Sequence, residues 1–189
     1  EIHCDLIMPG YEHTVMANIS SELEAHTMTC IAPSKTFNLA GLEASCVILP
    51  DRERRHQLKA EMSRVSYEGR VNALGYKAME AAYTRCDQWL SQAIQAIHSN
   101  HRLLTEFLKE HCPDVKAAPL EGTYLQWLDL RALGWTPKEQ ESIMEEADLF
   151  FDEGGMFGPE GEGFERMNLA CPQTVILDGL GRFSQVVNR

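Results

Sequence analysis

Lys35 lies in the run Ala32-Pro33-Ser34-Lys35-Thr36-Phe37-Asn38-Leu39-Ala40-Gly41-Leu42. Thr27–Ile31, just before it, is partly β-branched and reads as a strand. A lysine held in a turn behind a strand can be aimed, and an aimed amine can attack a carbonyl. That reaction needs the neutral amine, and hence a desolvated or cation-rich setting. Strands predicted on both sides, Thr27–Ile31 and Ala44–Leu49, would supply it if they are buried. Ser34 offers its hydroxyl to a phosphate oxygen. The second residue of interest is Arg166, set among Phe164, Met167 and Leu169 in a run that reads as a strand. A buried guanidinium is costly unless it is paired. Within the chain, Glu162 or Asp129 would be its ion-pair partner.

Several elements must position these two residues. Thr14–Ala25 has apolar residues at helical spacing, at Val15, Met16, Ile19 and Leu23. Pro50 stops the strand Ala44–Leu49, and Asp51 caps a charged helix of about 15 residues. From Gly69 to His111 the pattern is helical, with a break near Thr84-Arg85. Leu74, Ala78, Ala81 and Ala82 form one apolar face there. The second part is a spine of about 25 residues, longer than a typical helix. After Pro113 the texture becomes α+β, with strands at Val115–Ala118, Thr123–Leu130 and Phe164–Ala170. Thr136-Pro137 starts a helix, with Pro at its first position. Gly154–Pro159 is a glycine-rich loop. Pro172 opens a last amphipathic helix with Val175, Ile176, Leu180 and Phe183 inside.

The 189 residues suit one domain or one and a half. The formal net charge of -11 argues against nucleic-acid binding. No apolar run reaches the roughly 20 residues of a membrane span. The six cysteines show no C-x-x-C spacing, which argues against a metal site. Cys30 and Cys46 read as small core hydrophobes, and the scatter suits a reducing, cytoplasmic setting. The chain opens on Glu1-Ile2-His3 without an initiator methionine, like the interior of something longer.

Three motifs stand in order along the chain: Glu1-Ile2-His3-Cys4-Asp5-Leu6, Ser34-Lys35-Thr36-Phe37-Asn38 with Ala40-Gly41-Leu42, and Gly161–Pro172 containing Arg166-Met167-Asn168. Together they resemble the C-terminal half of fold-type I pyridoxal-phosphate enzymes of the class I/II aminotransferase superfamily. The branch they look like is that of the cystathionine β-lyase-type C–S lyases. The resemblance spans nearly the whole chain. It departs from the superfamily pattern at Ala32, where a serine is usual, and at Glu43, where many aminotransferases carry an arginine.

The resemblance implies an α/β fold. Residues 1–68 would be part of the large-domain sheet, residues 69–112 the connecting helices, and residues 113–189 an α+β small domain. It implies pyridoxal 5'-phosphate as cofactor, with Lys35 as its anchor and as the catalytic base. Ser34 and His3 would lie on the cofactor side, and Arg166 would fork onto the α-carboxylate of an amino-acid substrate. Phe157 would be part of the substrate-side wall. An aspartate is expected just before Glu1, beside the pyridine nitrogen. The full-length enzyme is expected to be a homodimer that carries out β-elimination, with transamination as the alternative reaction. Half of such a site is expected to be inactive by itself, which leaves a non-catalytic folded domain as the remaining reading.

Overall fold

The computed structural model describes residues 1–67 and 69–189. Two compact units make up the chain, Glu1–Gln92 and Ala93–Arg189, with their border inside one long helix. The border expected after residue 68 falls on a residue outside those described.

In the first unit, a short 3-10 turn, Met16–Asn18, precedes helix α1 (Ser21–His26). The single helix expected over 14–25 is thus split. Ser20 makes the break: its backbone is extended, and its Oγ accepts from the Leu23 N–H at 3.1 Å, starting a new helix. Strand β1 (Thr29–Ile31) pairs antiparallel with β2 (Cys46–Ile48), with Cys30 opposite Val47. Between them lies α2 (Pro33–Thr36), the turn that carries Lys35.

The β1–β2 ribbon corrects two expectations. Thr29 is buried but Cys30 is exposed, and Val47 and Ile48 keep 50% and 49% of their surface. Side chains alternate across a strand, so one covered face buries only every second residue. Cys30 is therefore not a core residue, and buried strands do not flank Lys35.

Helix α3 (Arg52–Arg64) starts where its cap predicts, with Asp51 Oδ1 accepting from the Arg54 N–H at 2.7 Å. In α4 (Ala73–Arg85), Gly75 and Ala82 are buried, while Leu74 is 74% exposed. The packed seam runs through Gly75, about 100° round the helix from Leu74. The spine is one helix, α5 (Asp87–His111), 25 residues long.

In the second unit, strands β3 (Lys116–Ala117), β4 (Leu125–Asp129), β5 (Asp152–Glu153) and β6 (Phe164–Asn168) form one antiparallel sheet in the order β3-β4-β6-β5. Gln126, Leu128, Glu165 and Met167 point to its covered face. Ile97, Leu104 and Leu108 of α5 are buried in the same unit, as are Met144 of α6 (Pro137–Glu146) and Ile176, Leu180 and Phe183 of α7 (Gln173–Val187). Val175, expected inside, is 55% exposed because it sits one residue off the 176–180–183 stripe. Helix α6 has a full capping box: Thr136 Oγ1 accepts from the Glu139 N–H, and the Glu139 carboxylate accepts from the Thr136 N–H.

Buried polar side chains tie the helices to the strand ends. Asn100 donates to the carbonyls of Leu169 and Cys171, both at 2.9 Å. Gln126 donates to the Ala118 and Trp127 carbonyls, each at 2.8 Å. The chain is thus a mixture of helices with two small sheets, and every strand pair among the described residues is antiparallel. Of the expected large-domain sheet, the described residues contain the β1–β2 ribbon.

Candidate active site

Lys35 is the third residue of α2. Ala32 enters the helix in an extended conformation, and Pro33 occupies its first turn, where its fixed φ is preorganised and its missing N–H costs nothing. The turn closes with the Phe37 N–H on the Pro33 carbonyl at 2.9 Å and the Leu39 N–H on the Ser34 carbonyl at 3.0 Å. Asn38 takes a left-handed φ of 55° at this exit, a conformation asparagine tolerates better than most residues.

Three contacts hold the turn within its unit. Thr36, which is 1% exposed, donates its hydroxyl to Asp5 Oδ2 at 2.9 Å. Phe37 meets the Tyr83 ring edge-on at 5.5 Å and the Trp89 ring at 6.0 Å. Past the turn, Asn72 Nδ2 donates to the Leu42 carbonyl at 2.8 Å, while Asn72 Oδ1 caps α4 at Gly75. A Cβ on Gly75 would stand 2.6 Å from the Leu42 oxygen, so only glycine allows α4 to approach this closely.

The Thr36–Asp5 bond joins the first motif to the second. It brings the segment carrying His3 against the turn carrying Ser34 and Lys35. His3 and Ser34 are both half-buried. Lys35 is exposed, and no other described side chain engages its Nζ or Ser34 Oγ. Nearby, Tyr83 has its hydroxyl pushed up to about 12, first by burial and then by the negative charge of Asp5.

Arg166 belongs to the second unit. On β6 it stands opposite Trp127 of β4 and Asp152 of β5. Its Nε and Nη2 both donate to Asp152 Oδ2, at 3.0 and 2.8 Å. Its Cζ lies 4.3 Å from the centre of the Phe157 ring, which in turn meets Trp127 edge-on at 5.4 Å. Arg166 also lines an open cleft of about 400 Å³ formed with the loop Ala118–Thr123 and with Leu125, Gln126 and Trp127.

The partner of Arg166 is therefore neither Glu162 nor Asp129. Asp129 is taken by Arg131, two residues on, through three hydrogen bonds that hold its carboxyl below the usual range. The sequence reading also missed Thr36, Asp5 and Asp152. Thr36 is legible only as part of its motif, and Asp152 lies on a strand of two residues, too short to show periodicity.

The first unit thus presents an amine without a counter-ion on a pinned turn, and the second presents an arginine beside a cleft. The chain is a partial homologue, about half-length, of cystathionine β-lyases and pyridoxal-phosphate C–S lyases with the aminotransferase class I/II fold. Cystathionine beta-lyase PatB of Bacillus subtilis is 38% identical over 189 residues, covering all of this chain and 49% of that protein. The structure of cystalysin from Treponema denticola, which contains pyridoxal 5'-phosphate, superposes with a TM-score of 0.94 at 45% identity, over 100% of this chain and 48% of that one. A pyridoxal-phosphate-bound protein from Clostridium difficile 630, provisionally named an aminotransferase, superposes with a TM-score of 0.96 at 38% identity, over 100% and 49%. The chain thus spans about half the length of the curated relatives it matches. No protein-family model matches it. None of the described helices is long and apolar enough to cross a membrane.

Proposed function

We propose that the chain contributes half of the active site of a pyridoxal-phosphate-dependent C–S β-lyase. The observation that carries this reading is the Lys35 turn: a lysine amine with no ion-pair partner, fixed by Thr36–Asp5, in a chain whose relatives include cystathionine β-lyases. The residues present fit the cofactor. Its aldehyde would meet a free amine at Lys35, and a phosphate oxygen would meet the uncommitted hydroxyl of Ser34. His3 stands on the segment bonded to the same turn. When bound, pyridoxal phosphate supplies an electron sink for the pair left behind as a proton leaves the substrate Cα.

The chain's own residues do the rest. Lys35 Nζ accepts the Cα proton as general base. Arg166 holds the substrate carboxylate. The Cβ–S bond then breaks, the thiol departs, and addition of water yields pyruvate and ammonia. The substrates are cystathionine or cysteine-type amino acids. The Clostridium difficile relative favours a second reading, transamination, in which Lys35 returns the proton to a different carbon. The full-length enzyme is a homodimer in this proposal, and the 189-residue chain by itself is a folded domain without turnover.

The test adds pyridoxal phosphate to this chain and to a polypeptide of the relatives' full length, and reads the visible absorbance of lysine-bound cofactor. We expect the band in the longer polypeptide and its loss in Lys35→Ala. A band that survives Lys35→Ala would sink the assignment, and a stable band in the short chain would refute its incompleteness. With cystathionine, pyruvate formed without a keto-acid acceptor supports the lyase, whereas strict dependence on an acceptor favours transamination.

A further inference from the structure

Among the described residues Asp152 is the one carboxylate paired with Arg166, and the form of that pair is informative. A guanidinium has two edges that can take a carboxylate, the Nε–Nη2 side and the Nη1–Nη2 end. Asp152 takes the first, and it does so with a single oxygen, Oδ2, which accepts from both nitrogens. Phe157 covers a face of the same group. The Nη1 atom has no partner among the described residues, and Arg166 lines the cleft. Arg166 is thus clamped on one edge and one face, and its end-on edge remains for a ligand.

We propose that Asp152 is the affinity-setting residue of the Arg166 carboxylate site. This rests on the reading of Arg166 given above. Asp152 fixes the direction of the guanidinium and weakens its electrostatic pull, so a ligand carboxylate binds end-on without displacing it. Asp152 keeps 45% of its side chain in solvent against 25% for Arg166, so its charge acts partly screened. Glu121, also on the cleft wall, adds a second negative charge on the ligand's side. Once one carboxylate is bound, Arg166 is one cation beside three anions, the ligand carboxylate, Asp152 and Glu121, and further net negative charge on the ligand is disfavoured. The site is therefore suited to amino acids whose side chains are neutral, zwitterionic or cationic.

The single-oxygen geometry makes the idea testable. In Asp152→Asn, the amide oxygen can accept both Arg166 hydrogen bonds while the charge disappears. Removing a like charge a few ångströms from a bound carboxylate, partly screened, is worth about three- to tenfold in affinity. The assay is a propionate titration of the ¹⁵N-labelled chain, reading the guanidinium resonances of Arg166, which Arg166→Lys identifies by their loss. In the wild type, propionate should shift the Nη signals and leave Nε in place. In Asp152→Asn, the Kd should fall about three- to tenfold with Nε still hydrogen-bonded, and Asp152→Glu should stay within about twofold of the wild type. If propionate moves Arg166 in both chains but binds Asp152→Asn equally or more weakly, the role of Asp152 is overturned and the carboxylate site stands. A shift at Nε in the wild type would show displacement of Asp152 and overturn it as well. If no chain responds at Arg166, the carboxylate reading itself fails, and this proposal with it.

Discussion

Replacing Glu165 by glutamine should stabilise the second unit, and the gain should grow with pH. Glu165 is 1% exposed on the covered face of β6. Its Oε1 accepts from Gln140 Nε2 at 2.8 Å, while its Oε2 is buried without a partner. Burial pushes the carboxyl up; the Gln140 bond opposes this, and the charges of Glu153 and Asp152 add to it. A carboxyl that holds its proton more tightly when folded gives the folded chain more protons than the unfolded one. Stability must then fall as pH rises from the ordinary glutamate pKa through the raised one, by at most about 1.4 kcal/mol per pH unit. Glutamine keeps the shape and the acceptor for Gln140, and it does not titrate. Below about pH 4 both side chains are neutral, and the stability difference between the two proteins should be at its constant, pH-independent baseline. Above the window, the wild type buries a charge with one oxygen unsatisfied, a cost of about 1–3 kcal/mol or more. Each kcal/mol corresponds to about 4–8 °C in Tm for a unit of this size. Denaturant unfolding followed through Trp127 and Trp135, from pH 4 to 9, measures the difference directly. Subtracting the variant's curve removes every other titrating group. Parallel curves, or a glutamine variant that loses ground as pH rises, would refute the reasoning.

The other predictions concern the parts that hold the two site residues. Gly75→Ala gains about 1 kcal/mol of helix propensity in an open helix, but its Cβ would press on the Leu42 oxygen at 2.6 Å. The net effect should be a loss of about 1–3 kcal/mol, with faster hydrogen exchange in the loop after Lys35. Thr36→Val removes the hydroxyl donated to Asp5 and should cost about 1.5 kcal/mol, since hydrogen bonds to charged groups exceed neutral ones and Asp5 is only half-buried. Thermal denaturation reads that loss. Thr136→Ala breaks the capping box of α6 and should cost about 1 kcal/mol by denaturant titration. Phe157→Ala uncovers the face of Arg166 and should weaken propionate binding about twofold to fivefold, as expected for a cation–π support of about 0.5–1 kcal/mol.

What the sequence revealed and what it concealed divide along physical lines. Caps and motifs are local, so Asp51, Thr136 and the start of α7 are legible from neighbouring residues, as is the length of α5. Burial is not local. A period of two says which residues of β1 and β2 share a face, but not whether another layer covers that face, and so the exposure of Cys30 and of the ribbon beside Lys35 is not legible from spacing. Arg166 shows the same division at one residue. Its setting among apolar residues indicates that it needs a counter-charge, and spacing offers Asp129 and Glu162. Register decides otherwise. Asp129 stands opposite Phe164, and its neighbour Arg131 reaches it from two residues away at little entropic cost. Asp152 stands directly opposite Arg166 on the next strand, where the Cβ atoms of a cross-strand pair are close. The pairing of β5 with β6 therefore selects the carboxylate, and through it the edge of Arg166 left open to a ligand.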